Sequence, residues 1–305
     1  MMSGMYAAIS GLDAHQTMLD VTANNLANVD TVGYKSQNTV FADELSQLIN
    51  AGSGPNGYSA GTNPIQVGLG VKVGSINNNM NAGGVESTGN ATDVAIQGAG
   101  FLQVANGAPA SATATSLVTG TQPQYTRAGD LTFNPQGFLC TQTGQYVLGY
   151  AAQANASGTG YQPKVSAPPV AADTQNAIYV PTGSTGIAIG QDGSVSYIDG
   201  NASSPTYQQR VTAGYISLAT FPNEAGLQRD GGSLWSATSS SGAVQVGQPG
   251  VGNYGQTISG ELEQSNVDMG TEFTNMIEAE RGYQANASTI TTADQMMQTA
   301  VQMKQ

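Results

Sequence analysis

Residues 269–297, MGTEFTNMIEAERGYQANASTITTADQMM, place Met269, Met276, Tyr283, Ile290 and Met297 seven positions apart. Small Ala279 and Ala293 interleave, and polar Glu272 and Asn286 share the register. Such a repeat winds into a helix with one apolar seam, suited to a partner helix. The other end of the chain matches it: Met2, Met5, Ile9, Leu12, Gln16, Leu19, Ala23 and Leu26 alternate spacings of three and four. The pattern predicts helices over about 2–28 and 266–303, with Asn266 or Asp268 capping the second. Glu272 in its first turn and Lys304 near its end suit the helix dipole. The first helix should stop where Asn24, Asn25, Asn28 and Asp30 crowd together, because such side chains compete for backbone groups. Gly33 offers a left-handed conformation just beyond.

Between these ends the pattern turns to β. A short segment with helical spacing, Val40, Phe41, Leu45, Leu48 and Ile49, comes first, and a Gly/Ser-rich loop follows to Asn63. From Ile65 apolar residues alternate, as in Leu69, Val71 and Val73, and again in Val94 and Ile96. Gln191-Asp192-Gly193-Ser194 between Ile187–Ile189 and Val195–Tyr197 is a hairpin signal. The fold expected is α+β: long terminal helices pairing as a coiled-coil-like stalk, with a central all-β domain. Its divisions are a helical assembly segment 1–34, a linker 35–64, a β-rich domain 65–258 with a possible small insertion at 151–212, and a second helical segment 259–305.

Composition narrows the function. Only 9% of the 305 residues are charged, the net charge is −12, and the eight basic residues are scattered. Nucleic-acid binding requires a basic stripe, which is missing. An anionic membrane surface would repel the chain. No run of about 18 apolar residues predicts a membrane span. The first basic residue is Lys35, so a secretory leader's positive start is not expected. With a single His15 and a single Cys140, common zinc sites and thiol–imidazole pairs lack their ligands. Cys140 reads as a small buried residue and His15 as structural. Gly250-Val251-Gly252-Asn253-Tyr254-Gly255 fits the dinucleotide fingerprint, but it leads into strand-like Gln256-Thr257-Ile258, where no helix start could hold a pyrophosphate. Neither catalytic residues nor a cofactor or metal site is expected. A chain whose two best helices lie at its ends reads as an assembly subunit. The competing class is a β-rich extracellular adhesin or enzyme that its helices oligomerise.

Specific segments carry a resemblance. Asn24-Asn25-Leu26-Ala27-Asn28, followed by Gly33-Tyr34-Lys35, resembles the amino-terminal signature of bacterial flagellar rod and hook proteins. Ser265-Asn266-Val267-Asp268, continued by Met276 to Asn286, resembles their carboxy-terminal one. Asp93–Phe101 and Tyr125–Gly129 resemble their β-domain. Val67–Val71, Leu218–Leu227 and Leu234–Thr238 are most similar to hook-type members, whereas the Gly-rich 50–63 region falls where distal rod proteins carry a distinguishing insertion. The resemblance implies a homopolymer exported by the flagellar type III apparatus. A hook subunit would be a flexible torque-transmitting tube contacting the distal rod protein, the hook cap and hook–filament junction proteins. The distal rod reading implies a rigid drive shaft. Met5, Ile9, Leu12, Leu19, Leu26, Met276, Tyr283, Ile290 and Met297 are the interface residues expected.

Overall fold

The computed structural model describes residues 2–52, 54, 61–107, 109–111, 114–117, 122–154, 161–163, 176–202 and 206–303. Its chain divides into two compact units. The first holds residues 1–29, 36–79 and 267–305, and the second holds 30–35 and 80–266. Two terminal helices flank a largely β middle, so the fold is α+β.

In the first unit, α1 (Met2–Ala27) and α2 (Met269–Gln302) lie against one another. Asp268 caps α2, its Oδ1 accepting from the Gly270 and Thr271 amides at 2.8 and 3.2 Å. This satisfies two of the amide groups that a helix start leaves unpaired. The rest of the unit is a ribbon. β1 (Gln37–Asp43) pairs antiparallel with β4 (Val71–Asn78), and β2 (Ser46–Asn50) with β3 (Ile65–Gly68). Val40, Phe41, Leu45, Leu48 and Ile49, whose spacing suggests a helix, instead fall along this ribbon. A stretch this short forms a marginal helix on its own. Here the 65–78 segment supplies a complete hydrogen-bonding partner, and the ladder wins. The 35–64 segment expected as a linker therefore carries β1 and β2. Its residues 53 and 55–60 lie outside the described residues.

In the second unit, β5 (Val85–Ser87) pairs with Glu261–Glu263, and β6 (Val94–Gln97) with Gln256–Ser259. The main sheet is centred on β7 (Phe101–Ala105), which pairs with Gln124–Thr126, Tyr146–Ala154 and Leu218–Thr220. Every residue of β7 is buried, which makes it the core strand. Val94, Ile96, Leu102, Val104, Val147 and Ile216 pack one cluster, and Phe101, Tyr125, Phe221 and Trp235 another. Strands Thr185–Ile189, Ser194–Ile198 and Arg210–Ile216 extend the same sheet. The hairpin turn read at 191–194 is formed there, with Gly193 at φ 76° and Asp192 Oδ1 accepting from Ser194 Oγ at 2.6 Å. Much of the possible insertion at 151–212 thus joins the main sheet, while residues 155–160, 164–175 and 203–205 lie outside the described residues, as does Lys304. The 250–255 glycine motif closes on itself through Gly250 N–H to Gly255 O (2.9 Å) and runs into a strand.

Candidate functional site

The helix seam is built from small and polar residues at its closest points. A Cβ on Gly11 would come 2.7 Å from Asn286 Nδ2, and one on Gly282 would come 2.5 Å from the His15 ring. Asn25 Nδ2 donates to Glu272 Oε1 at 3.1 Å. Partners thus run 11 with 286, 15 with 282 and 25 with 272, so α1 and α2 are antiparallel. Ala8, Ala14 and Val21 on α1 and Ala279 and Ala293 on α2 are buried. Glycine and alanine let two backbones approach closely, which is why these positions occupy the centre of the seam.

The larger residues expected on the seam are less buried than these small ones. Met5, Leu12, Leu19 and Leu26 on α1, and Met276, Tyr283, Ile290 and Met297 on α2, are half-buried, whereas Ile9 is exposed. A second apolar row faces solvent. Met269, Phe273 and Ile277 are 52%, 49% and 58% exposed, and Tyr6 is 64% exposed. The sequence reading placed Met269 on the seam and missed Phe273, Ile277 and Tyr6, although the spacing of four residues from Met269 was readable. The ribbon adds Leu45, Leu48, Ile49, Ile65 and Val67, all exposed. Both the helix pair and the ribbon thus carry exposed large apolar side chains.

The signature residues have distinct physical tasks. Asn25 is fully buried, donates to Gln37 O (2.8 Å) and accepts from Gln37 N–H (2.9 Å). It therefore ties the end of α1, the start of β1 and the first turn of α2 into one network. Asn28 Nδ2 donates to Asn24 O at 2.9 Å, closing the end of α1. Asn24 and Ala27 are exposed. Burial pushes the Glu272 carboxyl above its ordinary range, and the Asn25 and Asn275 amides offset this only in part.

In the second unit, Gly33 lies at φ 66°, where a Cβ would sit 2.5 Å from the Ala128 nitrogen. Its N–H donates to Glu263 O at 2.8 Å. Asn266 Nδ2 donates to Asn81 O at 2.9 Å, and Ser265 and Asn266 are half-buried, as is Val267 of the first unit. Beside them lies a charge cluster that sequence reading missed. Glu263 accepts from Lys35 Nζ at 2.6 Å and from Arg127 Nη1 at 3.1 Å, and all three side chains are almost wholly buried. Lys35 also donates to Asn81 O (2.9 Å), Gly83 N–H to Glu263 Oε1 (3.0 Å), and Arg127 Nη2 to Gly98 O (2.9 Å). Arg229 donates to Lys35 O and stacks over the Tyr34 and Trp235 rings at 4.5 and 4.9 Å. Burial would raise the Glu263 carboxyl, but Arg127, the Lys35 bond and charge, and the Gly83 amide together hold it below its usual range. Burial pulls the Lys35 ammonium down more than Glu263 raises it. Both shifts are downward, which favours the charged form of Glu263 and opposes that of Lys35, because Glu263 has two cations whereas Lys35 shares one carboxylate with Arg127.

Comparison with known proteins gives this geometry a family. A profile described as "Flagella basal body rod protein" matches residues 5–35. "Flagellar hook protein FlgE/F/G D1 domain" matches 95–197, and "Flagellar basal body rod FlgEFG protein C-terminal" matches 258–303. The flagellar basal-body rod protein FlgG of Bacillus subtilis (strain 168) is 36% identical over 305 residues, covering 100% of each chain. The chain belongs to the flagellar hook and rod protein family. FlgG of Caulobacter vibrioides is 33% identical over 306 positions, covering 99% of this chain and 100% of the relative. The flagellar hook protein FlgE of Borreliella burgdorferi is 27% identical, and its alignment stretches to 444 positions. The rod-protein and C-terminal profiles cover most of α1 and all of α2.

Proposed function

We propose that the chain is the subunit of the flagellar distal rod, a structural polymer and not an enzyme. The observation that carries this is length. The Bacillus rod relative aligns end to end over 305 positions, while the Borreliella hook relative needs 444 for the same chain. The hook preference drawn from Val67–Val71, Leu218–Leu227 and Leu234–Thr238 gives way to this reading. Hook cap and hook–filament junction partners belong to the hook reading alone. On the rod reading the first partner is another copy of the chain.

Copies meet through contacts that do not close into a ring, so they propagate as a helical tube. α1 and α2 pair as a coiled-coil-like stalk that lines the export channel. The half-buried seam residues hold the stalk: Met5, Leu12, Leu19, Leu26, Met276, Tyr283, Ile290 and Met297. Ile9, Tyr6, Phe273 and Ile277 are free to meet neighbours, and their exposure supports this use. The apolar ribbon of β1 to β4 supports it too.

Electron microscopy of basal bodies from a strain lacking the gene tests the assignment. Rods that stop short of a distal section are the expected result. Complete rods that merely lack a hook would overturn it and restore the hook reading, for which full coverage of this chain by hook relatives is the supporting observation.

A further inference from the structure

The buried charge cluster joins parts of the chain that are far apart in sequence. Lys35 and Arg127 lie 228 and 136 positions ahead of Glu263. Both of the ion pairs among the described residues end on that one carboxylate. The remaining close partners of the cations are neutral: the Asn81 and Gly98 carbonyls and the Phe101 ring. Glu224 adds only a weaker, longer-range attraction on Lys35. Without Glu263, folding this unit would bury two cations with no counter-ion in contact. A buried charge stripped of its partner is among the most costly defects a core can hold.

The backbone around Glu263 repeats the dependence. The strand Glu261–Glu263 pairs with β5, the Gln264 N–H donates to Gly84 O at 2.7 Å, and Glu263 O receives the Gly33 N–H. Every strand of the main sheet lies before residue 248, yet the charge that makes its surroundings tolerable arrives only at 263.

We propose that the Glu263 carboxylate is a chain-completion check. The β-rich unit closes only when residue 263 is in place, although its core strands are already present. For a subunit threaded through a narrow channel, this keeps a partly delivered chain open. That use rests on the proposed function, but the folding dependence does not.

Glu263→Gln in the full-length subunit tests it, because glutamine keeps the shape, the strand pairing and an acceptor for the Gly83 amide while removing the charge. Trp235, the single tryptophan, is buried in this unit and reports its folding by fluorescence during urea titration. The folding equilibrium constant is expected to fall by roughly two to three orders of magnitude. Glu261→Gln, on the same strand and outside both ion pairs, should leave it unchanged. The neutral combination Lys35→Met/Arg127→Met/Glu263→Met should recover most of the loss, because no charge of the cluster remains to be matched. A Glu263→Gln subunit that folds within about threefold of the parent, or a neutral combination as open as Glu263→Gln, would overturn the proposal. Both readouts use isolated subunits, so a failed rod assignment in the basal-body experiment leaves this result standing.

Discussion

Replacing Asn25 with leucine isolates the polar node of the helix seam. Leucine has nearly the same length and no polar atoms, so it strands the groups that Asn25 serves: the Gln37 N–H and C=O and Glu272 Oε1. Each buried group left unpaired costs about 1–3 kcal/mol. Gln37 is only half-buried and can recover some hydration, so two full penalties, about 2–6 kcal/mol, are the fair sum. Burying a leucine at this site returns about 1.5–3 kcal/mol. The net loss is about 1–3 kcal/mol, which corresponds to about a 5- to 150-fold rise in the concentration needed for polymerisation. Sedimentation of purified subunits across a dilution series measures that threshold. Trp235 fluorescence should not change, because Asn25 belongs to the other unit. An unchanged threshold would refute the claim that this network, and not the flanking apolar residues, fixes the seam.

Four further outcomes follow from the same geometry. Ile277→Asp, on the exposed row, should leave the subunit's helical circular dichroism intact yet stop polymerisation, whereas Ile290→Asp, half-buried in the seam, should lower both; tubes from either variant would sink the corresponding surface. Because burial raises the Glu272 carboxyl, the folded helix unit binds a proton more readily than the unfolded chain. Its stability should therefore rise as pH falls from neutral through that raised value and level off below the ordinary 4.5, a trend that polymerisation thresholds measured along a pH series should show and Glu272→Gln should abolish. Glu263 has the opposite sign: its contribution is present above 4.5 and is lost as pH drops through its depressed value, so Trp235 fluorescence should report acid unfolding that is absent from the neutral combination. Gly33→Ala should cost the β-rich unit at least about 1–3 kcal/mol, visible as a lower urea midpoint, since both the positive φ and the Ala128 nitrogen oppose a side chain there.

The helices were legible because their signal is local and repeated. Seven-residue spacing survives whatever the helices pack against, so the ends of α1 and α2 fall within a few residues of where Asn28 and Asp268 place them. The same reasoning weighted large seam residues and overlooked Gly11 and Gly282, whose value lies in the side chain they lack. At Val40–Ile49 the spacing misleads for the opposite reason. Ten residues carry too little helix to stand alone, and the deciding partner, the 65–78 segment, is not visible in their own pattern.

The charge cluster shows where local reading runs out. Lys35 sits after a helix, Arg127 in a β-segment and Glu263 on a strand near the chain's end, and each alone reads as a solvated residue on a sparsely charged chain. Only the pairing of early with late strands brings them together. Yet the scarcity of charge was itself a clue. With eight basic residues in 305, placing two of them in the core of one unit gives up solubility that the chain has little of in positive form. A buried ion pair often contributes little net stability over apolar packing. Its sharper effect is conditional: it makes the core intolerant of any state in which one partner is missing. That property suits a subunit whose two terminal segments must both be seated before the β-rich unit is complete.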